Sequence, residues 1–242
     1  MSETTPPPHP RRGDPAIARM VRVADALGPE LGARVVFIGA SLLPLLETEA
    51  DVLSSPRPTR DVDAVTATRT YTQKAMLEER LRERGFKNSM AATHMDRWHA
   101  PDGTLFDLMA CGSHSGGTGN AHDEWVIKNA IETSLPPTVR HASAIGLLLL
   151  KCAAYRDRGA KAPAASKDLA DISALIATRP ELEAEMRGAP EEIRAFVGGE
   201  IAKMLTPRTV SAIRAHIDDR EPLIAGVADT VIEQLKAMSL TV

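Results

Sequence analysis

A short alternating segment, Asp61-Val62-Asp63-Ala64-Val65, places the tightest constraint on how this chain folds. Alternate side chains of a β-strand share a face, so a strand here sets Asp61 and Asp63 side by side and turns Val62 into a core. Hard divalent cations such as Mg²⁺ bind clustered carboxylate oxygens, and paired ions in phosphoryl-transfer sites lie about 3.5–4 Å apart. The segment therefore predicts a short strand that carries a metal site.

A second feature lies upstream of this strand. The apolar run Val35–Ile38 ends at Gly39-Ala40-Ser41, a pattern typical of a buried strand, a turn and a following helix. Glycine lets the backbone approach a phosphate closely, and free N–H groups at a helix start attract anions, to which Ser41 adds a hydroxyl. The same residues also fit a plain tight turn in which Ser41 caps the helix.

One further acid, Asp107, lies inside the apolar segment 104–109, which predicts the second strand of a hairpin that turns at residues 101–103. A buried carboxylate without a partner is costly, so Asp107 either pairs with a cation or shares a face with the metal site. If its strand lies beside the Asp61–Val65 strand, Asp107 becomes a third metal-facing carboxylate or the base for an acceptor hydroxyl. A simple salt bridge is the alternative.

Beyond residues 136–137 the apolar spacing becomes helical. The pattern predicts helices over residues 143–156, 168–177, 181–187, 190–204, 207–217 and 221–238. Lys151 ends an aliphatic run, where its ammonium reaches solvent or neutralises phosphate charge. Lys167 and Asp168 open the next helix, where the helix dipole favours an acid whatever its function. Between these helices lies a basic cluster that suits phosphates or solvent equally, formed by Arg156, Arg158 and Lys161.

Composition restricts the class of protein. The 242 residues are 43% hydrophobic, which suffices for an ordinary core, and only 3% aromatic, which argues against a base-stacking surface. A net charge of -3 argues against a general polyanion binder, and two cysteines do not make a disulfide framework. The sequence predicts no membrane span and no signal peptide, so we expect a cytoplasmic protein. Its organisation is predicted as a disordered tail (1–14), a sheet domain (15–137) and a helical domain (138–242).

In their order along the chain, these features resemble the AbiEii-like nucleotidyltransferases, the abortive-infection and type IV toxin group of the polymerase-beta-like superfamily. The resemblance runs through most of the chain. Its matching elements are the turn at Gly39-Ala40-Ser41, Arg57-x-Thr59-x-Asp61-x-Asp63, the strand around Asp107, Leu150-Lys151-x-x-Ala154, and Ser166-Lys167-Asp168-x-x-Asp171-Ile172.

The resemblance implies an α+β fold, in which a nucleotidyltransferase-type mixed sheet with flanking helices is followed by a helical C-terminal domain. It implies catalytic roles for Asp61, Asp63, Asp107, Lys151 and Asp168, the first three of them as ligands of Mg²⁺ or Mn²⁺. It implies nucleotide binding by Gly39, Ala40, Ser41, Thr59 and Lys167. The chain departs from the group in having Gly39-Ala40 where Gly-Gly or Gly-Ser is usual, and in its long segment from Gly39 to Asp61.

The activity implied is transfer of a nucleoside monophosphate from a nucleoside triphosphate to an acceptor hydroxyl, with RNA or tRNA as an acceptor and an antitoxin protein as a partner. Two other functions remain open on the residues alone. One is the same reaction on a small molecule such as an antibiotic. The other is a catalytically silent nucleotide-binding protein of the same fold.

Overall fold

A computed structural model describes residues 13–49, 52–53, 58–88, 96–111, 121–133, 135, 137–217 and 225–240. Its strands are β1 Val35–Ile38, β2 Asp61–Thr66, β3 Lys87–Asn88, β4 Arg97–His99, β5 Leu105–Ala110, β6 Ile131–Thr133 and β7 Val139–His141. Its helices are α1 Pro15–Gly32, α2 Leu43–Leu46, α3 Tyr71–Glu83, α4 Asp123–Lys128, α5 Ala144–Ala154, α6 Lys167–Thr178, α7 Leu182–Arg187, α8 Glu191–Met204, α9 Pro207–Ile217 and α10 Val227–Ser239. Most of the predicted tail, Arg57 and the segment 112–120 lie outside the described residues.

The strands form one mixed sheet in the order β3-β4-β5-β2-β1-β7-β6. The pairs β2–β5 and β1–β7 are parallel, and the other neighbouring pairs are antiparallel. The central pair has Ile38 opposite Asp63, so the end of β1 meets the acidic part of β2. The mixed architecture of sheet and helices agrees with the predicted α+β class, while its nucleotidyltransferase type stays a prediction.

The alternation in β2 is realised as the sequence predicts. Val62 and Ala64 are fully buried, whereas Asp61 and Asp63 are half-buried on the opposite face. All of β1 is buried, because a central strand packs against neighbours on both faces. The acidic face of β2 is thus held at the centre of the sheet by an apolar face behind it.

Two capped helices of the C-terminal half bring its polar residues toward this sheet. The Ser143 hydroxyl accepts a hydrogen bond from the Gly146 N–H at the start of α5, and Ser166 does the same for Leu169 at the start of α6. Between them, α5 runs directly into a π-helical turn, Tyr155–Gly159. The predicted helices are confirmed over their described residues, with ends shifted by a few positions; α10 begins at Val227 instead of 221.

The C-terminal end of α6 is tied to the sheet half. Arg179 Nη1 donates to the Leu46 carbonyl oxygen at 2.6 Å. The Thr178 carbonyl accepts from the backbone N–H groups of Thr48 and Glu49, both at 2.9 Å. The helix that opens with Asp168 is therefore anchored at its far end to the chain that follows α2.

Some elements differ from the sequence prediction for identifiable reasons. The helix α1 consists of two helical pieces that meet at Gly28, whose φ of 69° and ψ of 174° are not helical. The strands β3, β6 and β7 and the helix α4 are too short to give a periodic signal. Because β7 pairs with β1, the sheet extends beyond the predicted boundary at residue 137 to His141. Among the described helices, none is long and apolar enough to cross a membrane.

Candidate metal centre

The register between β2 and β5 brings three carboxylates together on one face of the sheet. Asp63 lies opposite Asp107, and Asp61 lies one pleat away on the same face. One carboxylate oxygen from each of the three lies within 4.8 Å of the others. Three oxygen donors at this separation form a group that can hold a metal ion. The condition for Asp107 to join the predicted site, a strand next to β2, is therefore confirmed.

The turn after β1 packs directly against the carboxylate of Asp63. Gly39 has a φ of +82°, in the left-handed region that favours glycine, and a Cβ built there would stand 2.1 Å from Oδ2 of Asp63. Glycine at this position therefore lets the turn and the carboxylate pack together. The next residue, Ala40, lines the cavity above the sheet.

The surroundings of Asp63 disfavour its ionised form. Its burial, together with the negative charges of Asp61 and Asp107, raises the pKa of Asp63 to about 7, against the opposing charges of Lys151 and Arg97. Asp63 has no ion pair with any residue in the described ranges. A half-buried carboxylate next to two others, without an ion pair to a described residue, is a fitting ligand for a divalent metal ion.

The surroundings of Asp61, in contrast, favour its ionised form. Burial by itself raises the pKa of Asp61, but hydrogen bonding and the charges of Arg97 and Lys167 outweigh it, so that the pKa is lowered. The Thr59 hydroxyl donates to Asp61 Oδ1 at 2.7 Å, and the Thr59 carbonyl accepts from the Arg19 guanidinium. Asp61 is thus fixed in its ionised form, ready to accept a cation.

Asp107 is held by an arginine that the sequence prediction missed. Arg97 on β4 donates from Nε to Asp107 Oδ1 at 2.7 Å and from Nη2 to Asp107 Oδ2 at 2.6 Å. The same Nη2 lies 3.5 Å from Asp61 Oδ2. Hydrogen bonding to Asp107 raises the pKa of Arg97 above its usual value. Asp107 therefore does form the salt bridge that was the simpler expectation, while it also faces the metal group.

The opposite wall of the cavity comes from the helical half. Lys151 Nζ lies 2.6 Å from Asp171 Oδ2 and 3.4 Å from Asp168 Oδ1. Arg158, on the π-helical turn, forms a two-bond fork with Asp168 at 2.7 and 2.9 Å. Burial tends to raise the pKa of Asp168, but the Arg158 hydrogen bonds and the Lys151 charge lower it overall. These four side chains form a closed charge network beside the sheet.

Both walls line one cavity of about 690 Å³, a size common for small-ligand sites. The predicted site residues that line it are Ala40, Thr59, Asp61, Asp63, Asp107, Lys151, Lys167 and Asp168. Arg97, Arg158 and Ser166 line it as well. The structure therefore brings together, in one place, residues that are up to 128 positions apart along the chain, from Ala40 to Asp168.

Ser41 is not brought to this cavity. Its side chain is fully buried, and its hydroxyl makes one long hydrogen bond of 3.4 Å to the Ile38 carbonyl. The cause is the short 3-10 turn Ala40–Leu42, which directs successive side chains into the core. Of the three predicted residues of this turn, Ala40 lines the cavity, whereas Gly39 and Ser41 do not.

A search of protein families finds no match for this chain, and a search of curated proteins finds no relative.

Proposed function

We propose that this protein is a metal-dependent nucleotidyltransferase, which moves a nucleoside monophosphate from a nucleoside triphosphate to an acceptor hydroxyl. The observation that carries the proposal is the opposition of two charged walls across one cavity. Asp61 and Asp63 supply a carboxylate floor on the sheet, and Lys151, Arg158 and Lys167 supply cations from the helical half. A triphosphate with its metal ions is a ligand that needs both kinds of surface at once.

The carboxylate floor fits a divalent cation on structural grounds. Asp63 lies among like charges and Asp61 is held ionised, so a divalent cation would relieve the repulsion between the two carboxylates. Asp61 and Asp63 would hold Mg²⁺ or Mn²⁺. When bound, such an ion neutralises phosphate charge and polarises the oxygens that bond to phosphorus.

The chain itself supplies position and charge. Gly39 lies against Asp63, and the neighbouring Ala40 lines the cavity, so we assign the phosphates to this turn. Lys167 is exposed at the rim, and Lys151 is fixed by two aspartates, so both place positive charge where a pyrophosphate group leaves. In the reaction, the acceptor oxygen bonds to the α-phosphorus, the bond to the bridging oxygen breaks, and the hydroxyl proton leaves to solvent. Catalysis is then mainly orientation and charge stabilisation.

The resemblance described above extends the proposal to the acceptor and the partner. It supports an RNA acceptor, tRNA included, and a separate antitoxin protein. The side chains of Arg156, Arg158 and Lys161 are exposed, and Arg158 lines the cavity, which is compatible with binding of nucleic-acid phosphates.

The test is incubation of the protein with each α-labelled nucleoside triphosphate in turn, with Mg²⁺ or Mn²⁺ and a cell extract, followed by separation of RNA, protein and small molecules. We expect label in RNA, and its loss in Asp63→Asn. The control is Asp25→Asn, which removes an exposed carboxylate on α1 and is expected to label normally. Labelling that survives in Asp63→Asn would overturn the proposal.

A further inference from the structure

Of the three clustered acids, Asp107 differs in already having a full cation partner. We infer that Asp107 is not a metal ligand but the holder of Arg97, and that Arg97 is the residue that binds an anionic group of the acceptor. The acceptor half of this inference rests on the proposed function. The metal half depends only on the geometry of β2, β4 and β5.

The fork between Arg97 and Asp107 uses both carboxylate oxygens. Its bonds of 2.6 and 2.7 Å join two side chains that are 25% and 17% exposed, so solvent screens them only partly. Paired N–H groups that match both oxygens make a geometrically demanding contact, which fixes the guanidinium plane. The pair is side by side on adjacent strands, Arg97 opposite Asp107, so the backbone register enforces it.

Charge balance separates Asp107 from the other two acids. Arg97 forms its close ion pair with Asp107 and a longer one with Asp61, whereas Asp63 has no ion pair with any described residue. A metal ion on Asp107 would have to lie close to the Arg97 guanidinium, which also reaches within 3.5 Å of Asp61 Oδ2. Asp63, which forms no ion pair with any described residue, is the acid of the three that is most removed from that repulsion.

The position of Arg97 points to the acceptor. In the sheet, β4 lies on one side of the acidic strand β2, and β1 with its Gly39 turn lies on the other. Gly39, whose turn contacts Asp63, therefore lies across β2 from Arg97. Among the residues that the structure describes, Nη1 of Arg97 has no hydrogen-bond partner, and Arg97 lines the cavity. A guanidinium so placed suits a phosphate of the acceptor, across the floor from the leaving pyrophosphate.

The metal half is tested with a double variant that keeps the local charge unchanged. Arg97→Gln with Asp107→Asn removes one positive and one negative charge together, so that any change in Mn²⁺ affinity reports lost ligation. The free Mn²⁺ signal in electron paramagnetic resonance gives the affinity without turnover. We expect the double variant to bind Mn²⁺ within about three-fold of the parent, while Asp61→Asn loses about ten-fold or more. A loss in the double variant equal to that of Asp61→Asn overturns the inference.

The acceptor half is tested on the same proteins by equilibrium dialysis of each labelled triphosphate with Mn²⁺, and by transfer of label to extract RNA. We expect the double variant to bind the triphosphate like the parent but to transfer at least about ten-fold less. Lys167→Gln, which removes a cation of the helical half that lines the cavity, is expected to show weaker triphosphate binding. Weaker triphosphate binding in the double variant, or undiminished transfer, contradicts the assignment of Arg97 to the acceptor.

The two proposals fail in different ways. A parent protein that binds no triphosphate and transfers no label removes the proposed function, and the acceptor role of Arg97 with it. The Mn²⁺ comparison between the double variant and Asp61→Asn still decides the role of Asp107 in that case.

Discussion

The Cα of Gly39 packs against the carboxyl group of Asp63, so closely that a Cβ on Gly39 would stand 2.1 Å from Oδ2. Gly39 also has a φ of +82°. The contact joins the turn after β1 to Asp63. Gly39 therefore determines both the backbone conformation of the turn and the position of the Asp63 side chain.

Gly39→Ala is therefore expected to destabilise the fold and to displace Asp63. A left-handed backbone costs a non-glycine residue roughly 1–2 kcal/mol, and the clash with a buried carboxylate adds to this. Gly103→Ala is the matched control, because Gly103 has a φ of +86° but no heavy atom within 4 Å of its Cβ position. Denaturant unfolding of both variants measures the difference. Equal losses of unfolding free energy would show that the Asp63 contact is unimportant.

Asp63→Asn is expected to stabilise the protein when metal is removed by a chelator. The folded pKa of Asp63, about 7, lies above its ordinary value of 3.8, so the unfolded state binds fewer protons between these values. The parent therefore loses stability as pH rises from about 4 to 7, and the loss is complete above about pH 7. The non-titrating variant escapes this loss.

Unfolding free energies in chelator at about pH 8 should favour Asp63→Asn by more than about 1 kcal/mol, and the gap should narrow toward pH 5. Added Mn²⁺ should raise the melting temperature of the parent and leave that of the variant unchanged. A pH-independent gap would mean that Asp63 is not destabilised by its neighbours. Asp25→Asn is the control for loss of an exposed carboxylate.

Lys151→Met is expected to destabilise the fold by about 1.5–3 kcal/mol, because it removes charge-assisted hydrogen bonds to two buried carboxylates, although Arg158 still pairs with Asp168. The Lys151 side chain is 12% exposed, and its partners Asp168 and Asp171 are 3% and 0% exposed. Lys161→Met, at an exposed position nearby, should cost little. Chemical denaturation of the two variants gives the comparison, and a small loss in Lys151→Met would indicate that Arg158 alone balances the network.

Thr59→Val is expected to weaken Mn²⁺ binding by about ten-fold, because partners that orient a ligand contribute to affinity. The variant removes the 2.7 Å hydrogen bond to Asp61 Oδ1, a contact that lowers the pKa of Asp61. Thr59→Ser retains the hydroxyl and should bind Mn²⁺ like the parent. If both variants bind equally well, the Thr59 hydroxyl has no part in holding Asp61.

The parts of this fold that the sequence predicts are those with a local signal. The alternation around Val62 defines β2, the apolar run defines β1, and the helical spacing after residue 143 defines α5 and α6. The placement of Asp63 on the same face as Asp61 follows from the pleat alone. The distances between these carboxylates and the cations of the helical half cannot be predicted from the sequence, because they depend on how the helices pack against the sheet.

What the sequence could not supply is the side-chain pairing set by distant register. Arg97 lies on a strand of three residues, and its contact with Asp107 exists only because β4 and β5 pair in one register. The burial of Ser41 depends on a 3-10 turn that no local pattern announces. Asp171 is apparent from the sequence as part of a motif, but its ion pair with Lys151 requires α5 and α6 to pack side by side.

The anchor at the end of α6 has a geometric consequence for the wall it carries. Asp168 lies in the first turn of α6, a 12-residue helix whose other end is held by the hydrogen bond from Arg179 to Leu46. One residue inserted into or deleted from α6 would turn the Asp168 carboxylate by about 100° around the helix axis, away from the cavity. The position of the Asp168 charge therefore depends on the length of α6 as well as on its residues. Among related chains with the same site, we expect loop lengths to vary more than the length of α6.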